Sequence, residues 1–245
     1  MNAVIELIRN HRSIRKFKDK PVSADTIKEL VLSGQSASTS SFIQAYTVIQ
    51  IKDVEKRKLL AQYAGNQIYV EEAPEFFVFC ADLNRIKYCC SLHNQEMEAE
   101  YTEHFISASV DTGLFAQNFV IAAESLGLGC VYIGGLRNNP QDVADLLNLP
   151  DHVYPVFGMC LGYPDQNPEI KPRLPIDAVF YQDEYPREMD CQVLKEYDEE
   201  ILDYYATRNT GNKIESWSEQ IALKTTKKCR PFMKKFLNNR GFLLK

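Results

Sequence analysis

Residues 103–133 read EHFISASVDTGLFAQNFVIAAESLGLGCVYI: a long apolar-periodic run, two glycines, then a short strand-like run. Polar side chains recur every seventh position, at His104, Asp111, Asn118 and Ser125, with Gln117 and Glu124 beside them. A seven-residue recurrence is two helical turns, so the stretch from about Glu103 to Leu126 is expected to be a helix with one narrow polar stripe. Such a rod should be buried nearly all round, and in a chain this small that favours a subunit interface. Gly127-Leu128-Gly129 stops it, and Cys130–Ile133 follows as a strand. Gly134 and Gly135 then remove every side chain from the strand's end, which suits either a flat ring on backbone amides or a tight turn.

Working outward, residues 2–9 form a short helix, and Ser23 is a good N-cap for a helix to about Gly34 with the stripe Ile27, Leu30, Val31. Thr47–Ile51 reads as a strand, Val54–Ala64 as a charged helix, and Phe76–Ala81 as an aromatic strand buried on both faces. Gln141–Leu147 is a helix and Val156–Leu161 a strand. Beyond Pro175 the pattern weakens into a charged helix near 193–207, a polar turn over residues 208–213 and a basic amphipathic tail with Trp217. Strands alternating with helices imply an α+β fold in three layers, α/β/α. We expect one domain over residues 1–245, with a core to residue 175 and an excursion over 176–245.

The 245 residues are 45% hydrophobic and 25% charged, enough to bury a full core, and the net charge of −5 argues against a nucleic-acid partner. No apolar run approaches the ~18 residues of a membrane span. Seven cysteines without CxxC spacing read as reduced thiols of a cytoplasmic protein, and no metal site is expected.

Two cationic clusters stand out in this acidic chain: His11-Arg12-Ser13-Ile14-Arg15 and Lys171-Pro172-Arg173. Guanidinium forks, an ammonium and hydroxyls are what a phosphate monoester needs. Neither a GxxxxGK loop followed by Ser or Thr nor a GxGxxG occurs, so side chains must hold any phosphate. The plain alternative is a solvated basic turn. Ser38-Thr39-Ser40-Ser41 offers hydroxyls to a polar ring edge or forms a simple turn, and Gln67 and Tyr69 border a planar ligand or merely pack. The four histidines are scattered, with no triad partner in view, and Glu96, Glu98, Glu100 and Glu103 look like a solvated helix start.

Taken in order, His11–Arg15, Ser38–Gln44, Ile121–Gly129, Val131–Asn138, Lys171–Pro175 and the late Tyr204-Tyr205, Thr207-Arg208 and Ser216–Ser218 resemble the FMN-dependent nitroreductase superfamily, in its branch of oxygen-insensitive NADPH nitroreductases and NADPH–flavin oxidoreductases. The resemblance covers essentially the whole chain. It implies a mixed sheet flanked by helices, and a homodimer with FMN sites at the interface and the C-terminal excursion packed on the partner. It implies that His11, Arg12, Ser13, Arg15, Lys171 and Arg173 grip the phosphate, ribityl chain and pyrimidine edge. Ser38, Thr39, Ser40, Gln67, Tyr69, Tyr132, Ile133, Gly134 and Gly135 would border the ring. Ser41 and Phe42 would face nicotinamide and substrate, Glu103 would line the pocket, and Arg208 and Lys213 would reach the 2′-phosphate of NADPH. No side chain is expected to be a catalytic nucleophile or base. Hydride would pass from NADPH to nitro compounds, quinones or free flavins; dehalogenation, flavin cleavage or plain anion binding are the alternatives.

Overall fold

A computed structural model describes residues 2–208, 211 and 213–245. They divide into two compact units, one running to Asn167 and taken up again by Arg230–Lys245, the other Pro168–Cys229.

In the first unit, short oxygen-bearing side chains start the helices where the sequence places them. Asn2, Ser23 and Asp53 each accept an N–H from the first turn of α1 (Ala3–Arg9), α2 (Ala24–Gln35) and α3 (Val54–Tyr63), satisfying donors that have no partner inside the helix. Further helices follow at α4 (Tyr69–Glu72), α5 (Asn84–Leu92), α6 (Thr102–Ser125) and α7 (Pro140–Leu146). Four strands, β1 (Tyr46–Gln50), β2 (Glu75–Asp82), β3 (Gly129–Ile133) and β4 (Val153–Gly162), form one sheet in the order β1-β2-β4-β3.

The resemblance implied a mixed sheet, yet all three strand pairs are antiparallel, with Tyr46 opposite Ala81, Phe77 opposite Met159 and Val131 opposite Cys160. The cause is the late insertion of β4. The long α6 carries the chain from β2 to β3 running the same way, but β4 enters between them and pairs antiparallel with both. Among the described residues, parallel pairing is limited to an isolated bridge between Ser13 and Cys130.

β2 is buried along nearly its whole length. Phe77 and Phe79 face α6, where Phe119 meets both rings edge-on at 5.3 and 5.7 Å between centroids. Phe76, Val78 and Cys80 face the opposite core with Leu60, Val70, Leu136 and Val143. Helices therefore cover both faces. The final residues belong to this unit: in α10 (Met233–Asn239) and just after it, Phe236, Leu237 and Phe242 enter the same core.

α6 departs from the expected all-round burial. Asp111, Thr112, Phe115, Ala116 and Phe119 are sealed against the sheet, whereas Ile106, Val110 and Leu114 are 48%, 52% and 45% exposed. The seven-residue polar set does not mark the outer face, because Asp111 is wholly buried and Ser125 exposed. Among the described residues α6 is the one helix long and apolar enough to cross a membrane; its buried side is that of a core helix.

In the second unit, α8 (Cys191–Thr207) turns Tyr197, Ile201 and Tyr205, four residues apart, onto Leu174 and Trp217. Ser216 and Glu219 form a reciprocal capping box at α9 (Trp217–Thr225).

Replacing Phe119 by Ala is expected to destabilise the fold by about 3–5 kcal/mol, the cost of an aromatic cavity in a sealed core. Its melting temperature should fall by roughly 6–20 °C, while exposed Gln117→Ala should change it by at most a degree or two. Calorimetry on both variants checks this.

Candidate functional site

The first cationic cluster is laid along β3 by backbone pairing. The Ile14 N–H donates to the Cys130 carbonyl at 2.9 Å, and Ile14 packs where a Cβ on Gly129 would come within 2.5 Å of its Cγ1. Glycine at 129 is what lets the two segments touch. Ile14 is buried, Arg12 half-buried and Arg15 exposed. Arg12 donates to Asn167 Oδ1 at 2.7 Å and to the Asn10 carbonyl at 3.1 Å. The Arg15 N–H donates to Gln166 Oε1 at 3.3 Å, and His11 Nδ1 lies 2.6 Å from Glu124 Oε1 on α6. A cavity of about 230 Å³ opens here, walled by Asn10, Arg12, Glu124, Gly129, Gln166 and Asn167.

At the other end of β3 a second group assembles. Gln67 donates from Nε2 to the Ala64 carbonyl at 2.7 Å and accepts the Tyr69 hydroxyl at 2.6 Å. A Cβ on Gly135 would lie 2.3 Å from the Ala64 oxygen and 2.6 Å from Gln67 Nε2. The bare backbone at Gly135 is thus already explained by the chain's own close approach. Ile133 is buried, so only its backbone is available, whereas Tyr132 points to the α6 side, edge-on to Phe157 at 5.0 Å. From Cys130 to Gly134 the strand spans about 13 Å. The cationic head and the polar foot are therefore spaced for an elongated ligand with an anionic end and a flat polar end.

The hydroxyl-rich loop lies on Asp111. Ser40 N–H donates to Asp111 Oδ1 at 3.0 Å and Ala45 N–H to Oδ2 at 3.2 Å. Between them Ser41, Phe42 and Gln44 hold φ of 48°, 57° and 53°, in the left-handed region without a glycine. Each such residue costs about 1–2 kcal/mol, and two charge-assisted bonds at about 1.5–3 kcal/mol each offset a comparable sum. Phe42 stands 81% exposed. Glu103, on the first turn of α6, is exposed.

In the second unit, Tyr205 is the hub. Lys171 Nζ donates to its hydroxyl at 2.9 Å, the hydroxyl donates to Gln220 Oε1 at 3.3 Å, and the Arg208 guanidinium lies 4.4 Å from its ring centre. Arg173 donates to the Lys171 carbonyl at 2.8 Å. Burial pushes the Tyr205 hydroxyl up, but the hydrogen bond it accepts from Lys171, with the charges of Lys171 and Arg208, brings it below its ordinary value. Lys213 sits 3.9 Å from Glu215 and lines a cavity of about 360 Å³ with Lys224, Lys227 and Lys228. Asn209, Thr210 and Asn212 of the polar turn lie outside the described residues.

The structure thus gathers His11, Arg12, Ser13 and Arg15 at the head of β3, Gln67, Tyr69, Gly134 and Gly135 at its foot, and Ser38–Phe42 on Asp111. Lys171 and Arg208 gather around Tyr205, Arg173 bonds the Lys171 carbonyl, and Lys213 lines its own cavity. Sequence reasoning passed over Asp111 as a holder of the loop, Glu124 as the partner of His11, and Arg230, which donates to Asn138 Oδ1 at 3.0 Å and the Gly134 carbonyl at 3.3 Å. Asp111 and Glu124 were visible as polar residues in an apolar helix; nothing local marked Arg230.

Residues 8–163 match the Nitroreductase family, and residues 171–245 match its C-terminal domain. The chain belongs to the nitroreductase family. It is 44% identical to an NADPH-flavin oxidoreductase of Vibrio harveyi, covering 98% of each chain, and 42% identical to an oxygen-insensitive NADPH nitroreductase of Salmonella typhimurium, covering 99% of each. An NADPH:FMN oxidoreductase of Vibrio harveyi, solved in complex with NAD+, superposes with a TM-score of 0.92 at 41% identity over the full length of both chains. Within the nitroreductase chain described here, an anionic head and a flat polar ring joined by a flexible arm, as in FMN, fit the spacing along β3.

If Lys171 sets the ionisation of Tyr205, one tyrosine should titrate below the others in ultraviolet difference spectra. That transition should vanish in Tyr205→Phe and move upward in Lys171→Met. An early transition surviving in Tyr205→Phe would refute the assignment.

Proposed function

We propose that this chain is an NADPH-dependent FMN oxidoreductase that reduces nitroaromatics, quinones or free flavins in a ping-pong cycle. The observation that carries the reading is the cationic corner at the head of β3 in a chain that resembles NADPH–flavin reductases over its full length. Bound FMN would supply the redox chemistry, taking two electrons with a hydride from NADPH and giving them to the acceptor. The task of the protein is grip and position.

In this reading His11, Arg12, Ser13 and Arg15 hold the phosphate and ribityl chain, and Lys171 and Arg173 add cations by sequence resemblance. Ser38, Thr39, Ser40, Gln67, Tyr69, Tyr132 and the backbone of Ile133–Gly135 border the ring. Ser41 and Phe42 face the donor and acceptor, and Arg208 and Lys213 favour the 2′-phosphate of NADPH. The lysine-rich wall around Lys213 supports that last role, since four ammonium groups face one carboxylate there.

No side chain is assigned a nucleophilic part. Burial pushes the Cys130 thiol up to about 12 and those of Cys80 and Cys160 higher still, so all three are protonated near neutral pH. The stripe of Ile106, Val110 and Leu114 on α6 supports a homodimer, because a row of exposed aliphatic side chains on a core helix is best covered by a second copy. In that dimer the C-terminal excursion would pack on the partner. Seven free cysteines support a cytoplasmic location.

The purified protein is expected to be yellow, or to become so with FMN, to bleach when NADPH is added under nitrogen, and to regain colour with nitrofurazone. A preparation that stays colourless after FMN addition overturns the reading. Arg15→Ala combined with Lys171→Ala should weaken FMN binding at least a hundredfold with the far-ultraviolet dichroism intact. Wild-type flavin affinity in that double variant would remove the phosphate assignment.

A further inference from the structure

We propose that Asp111 is a positioning residue for acceptor binding: by holding the Ser40 and Ala45 amides it fixes the loop between them and sets where Phe42 stands. The inference rests on the reading of Phe42 as a residue of the substrate face and adds to it what puts the ring there.

Asp111 is wholly buried on the sheet side of α6, and its two oxygens each take one backbone donor from either end of the loop. Within the loop, Phe42 N–H donates to the Thr39 carbonyl at 3.3 Å, Ile43 N–H to the Ser40 carbonyl at 2.9 Å and Gln44 N–H to Thr39 Oγ1 at 3.4 Å; its far end is also tied by the Asp82 N–H to the Ala45 carbonyl at 3.0 Å and by Arg85 to the Gln44 carbonyl at 3.5 Å, so the Ser40 end is the one that Asp111 alone holds. The internal bonds shape the turn, and Asp111 anchors it to the body of the unit. A carboxylate is the side chain that fits, because two inward N–H groups require two acceptors and no donor. Asparagine, of the same size, offers one oxygen and sets an NH₂ against the second amide. The backbone so anchored is left-handed at three non-glycine positions, and Phe42 is held out into solvent. Released at one end, the loop is free to relax those torsions and carry the ring away.

The test combines hydrogen exchange with steady-state kinetics on the FMN-loaded protein. In the wild type the Ser40 and Ala45 amides should exchange at least tenfold more slowly than the Ser41 amide, although Ser40 is surface-exposed. Equal rates would overturn the proposal without any variant. In Asp111→Asn the protection of the Ser40 amide should fall at least tenfold, and the KM for nitrofurazone should rise about tenfold with kcat within a factor of two. Phe42→Ala should raise KM similarly, and adding Asp111→Asn to it should bring little more, since both act through one ring. Additive effects, or an unchanged KM with the amides freed, would show that Asp111 serves the fold alone. Should the wild type fail to consume NADPH with nitrofurazone, the flavoenzyme reading fails instead, and the exchange rates still report whether Asp111 holds the loop.

Discussion

The first unit depends on the seating of α6 against the sheet. Phe115 and Phe119 fill the space over Phe77 and Phe79, and Thr112 Oγ1 reaches the Cys80 carbonyl at 3.3 Å, so rotation and translation of the helix are both fixed. Two acidic side chains on that helix then act at a distance from each other. Asp111 anchors the Ser40–Ala45 loop and Glu124 meets His11 beside the first cationic cluster. Thirteen residues of helix separate them, about 20 Å at the usual rise. One rigid rod thereby sets the spacing between the Ser40–Ala45 loop and the first cationic cluster. Of their own these segments have little regular structure, one short helical turn at Ser40–Phe42 and one bridge from Ser13 to Cys130.

Burial in this core works against nucleophilic chemistry. The interior thiols are driven toward their protonated forms, and the Tyr132 and Tyr154 hydroxyls are likewise raised, Tyr154 to about 12, mainly because charge is costly where water is excluded. Half-buried Arg57 gathers the Val70, Ala73 and Pro74 carbonyls at the end of α4 and steadies the segment that bears Gln67 and Tyr69.

Much of the fold was legible because its signals are local. The Ser23 cap, the continuous apolar run of β2 and the glycines after α6 each state their conformation within a few residues. Sheet order was not legible: the sequence tells that strands alternate with helices, but not that β4 inserts between β2 and β3. The face of α6 was misread for a related reason. A seven-residue polar recurrence normally marks solvent, yet Asp111 lies inside because the loop opposite presents two backbone donors that need a carboxylate. Among the candidate residues, the cationic clusters were visible from charge and spacing, whereas Arg230 could not be seen at all, lying 96 positions from the Gly134 carbonyl it meets.

The manner in which the cations are held bears on how they would receive an anion. Arg12 is oriented by the Asn167 side chain and the Asn10 carbonyl, Lys171 by a tyrosine hydroxyl, and Arg173 by the Lys171 carbonyl. These acceptors are neutral. They limit rotamer freedom, which for Arg and Lys is worth about 2 kcal/mol per side chain. A side chain already ordered in this way spends less of an anion's interaction energy on its own ordering. His11, paired with Glu124, is the contrasting case: that contact fixes the ring through a carboxylate, which suits it to orient the corner rather than to add net charge. Side chains prepared in this way do for an anion what a glycine-rich loop does with backbone amides, which is why the absence of such a loop is compatible with phosphate binding.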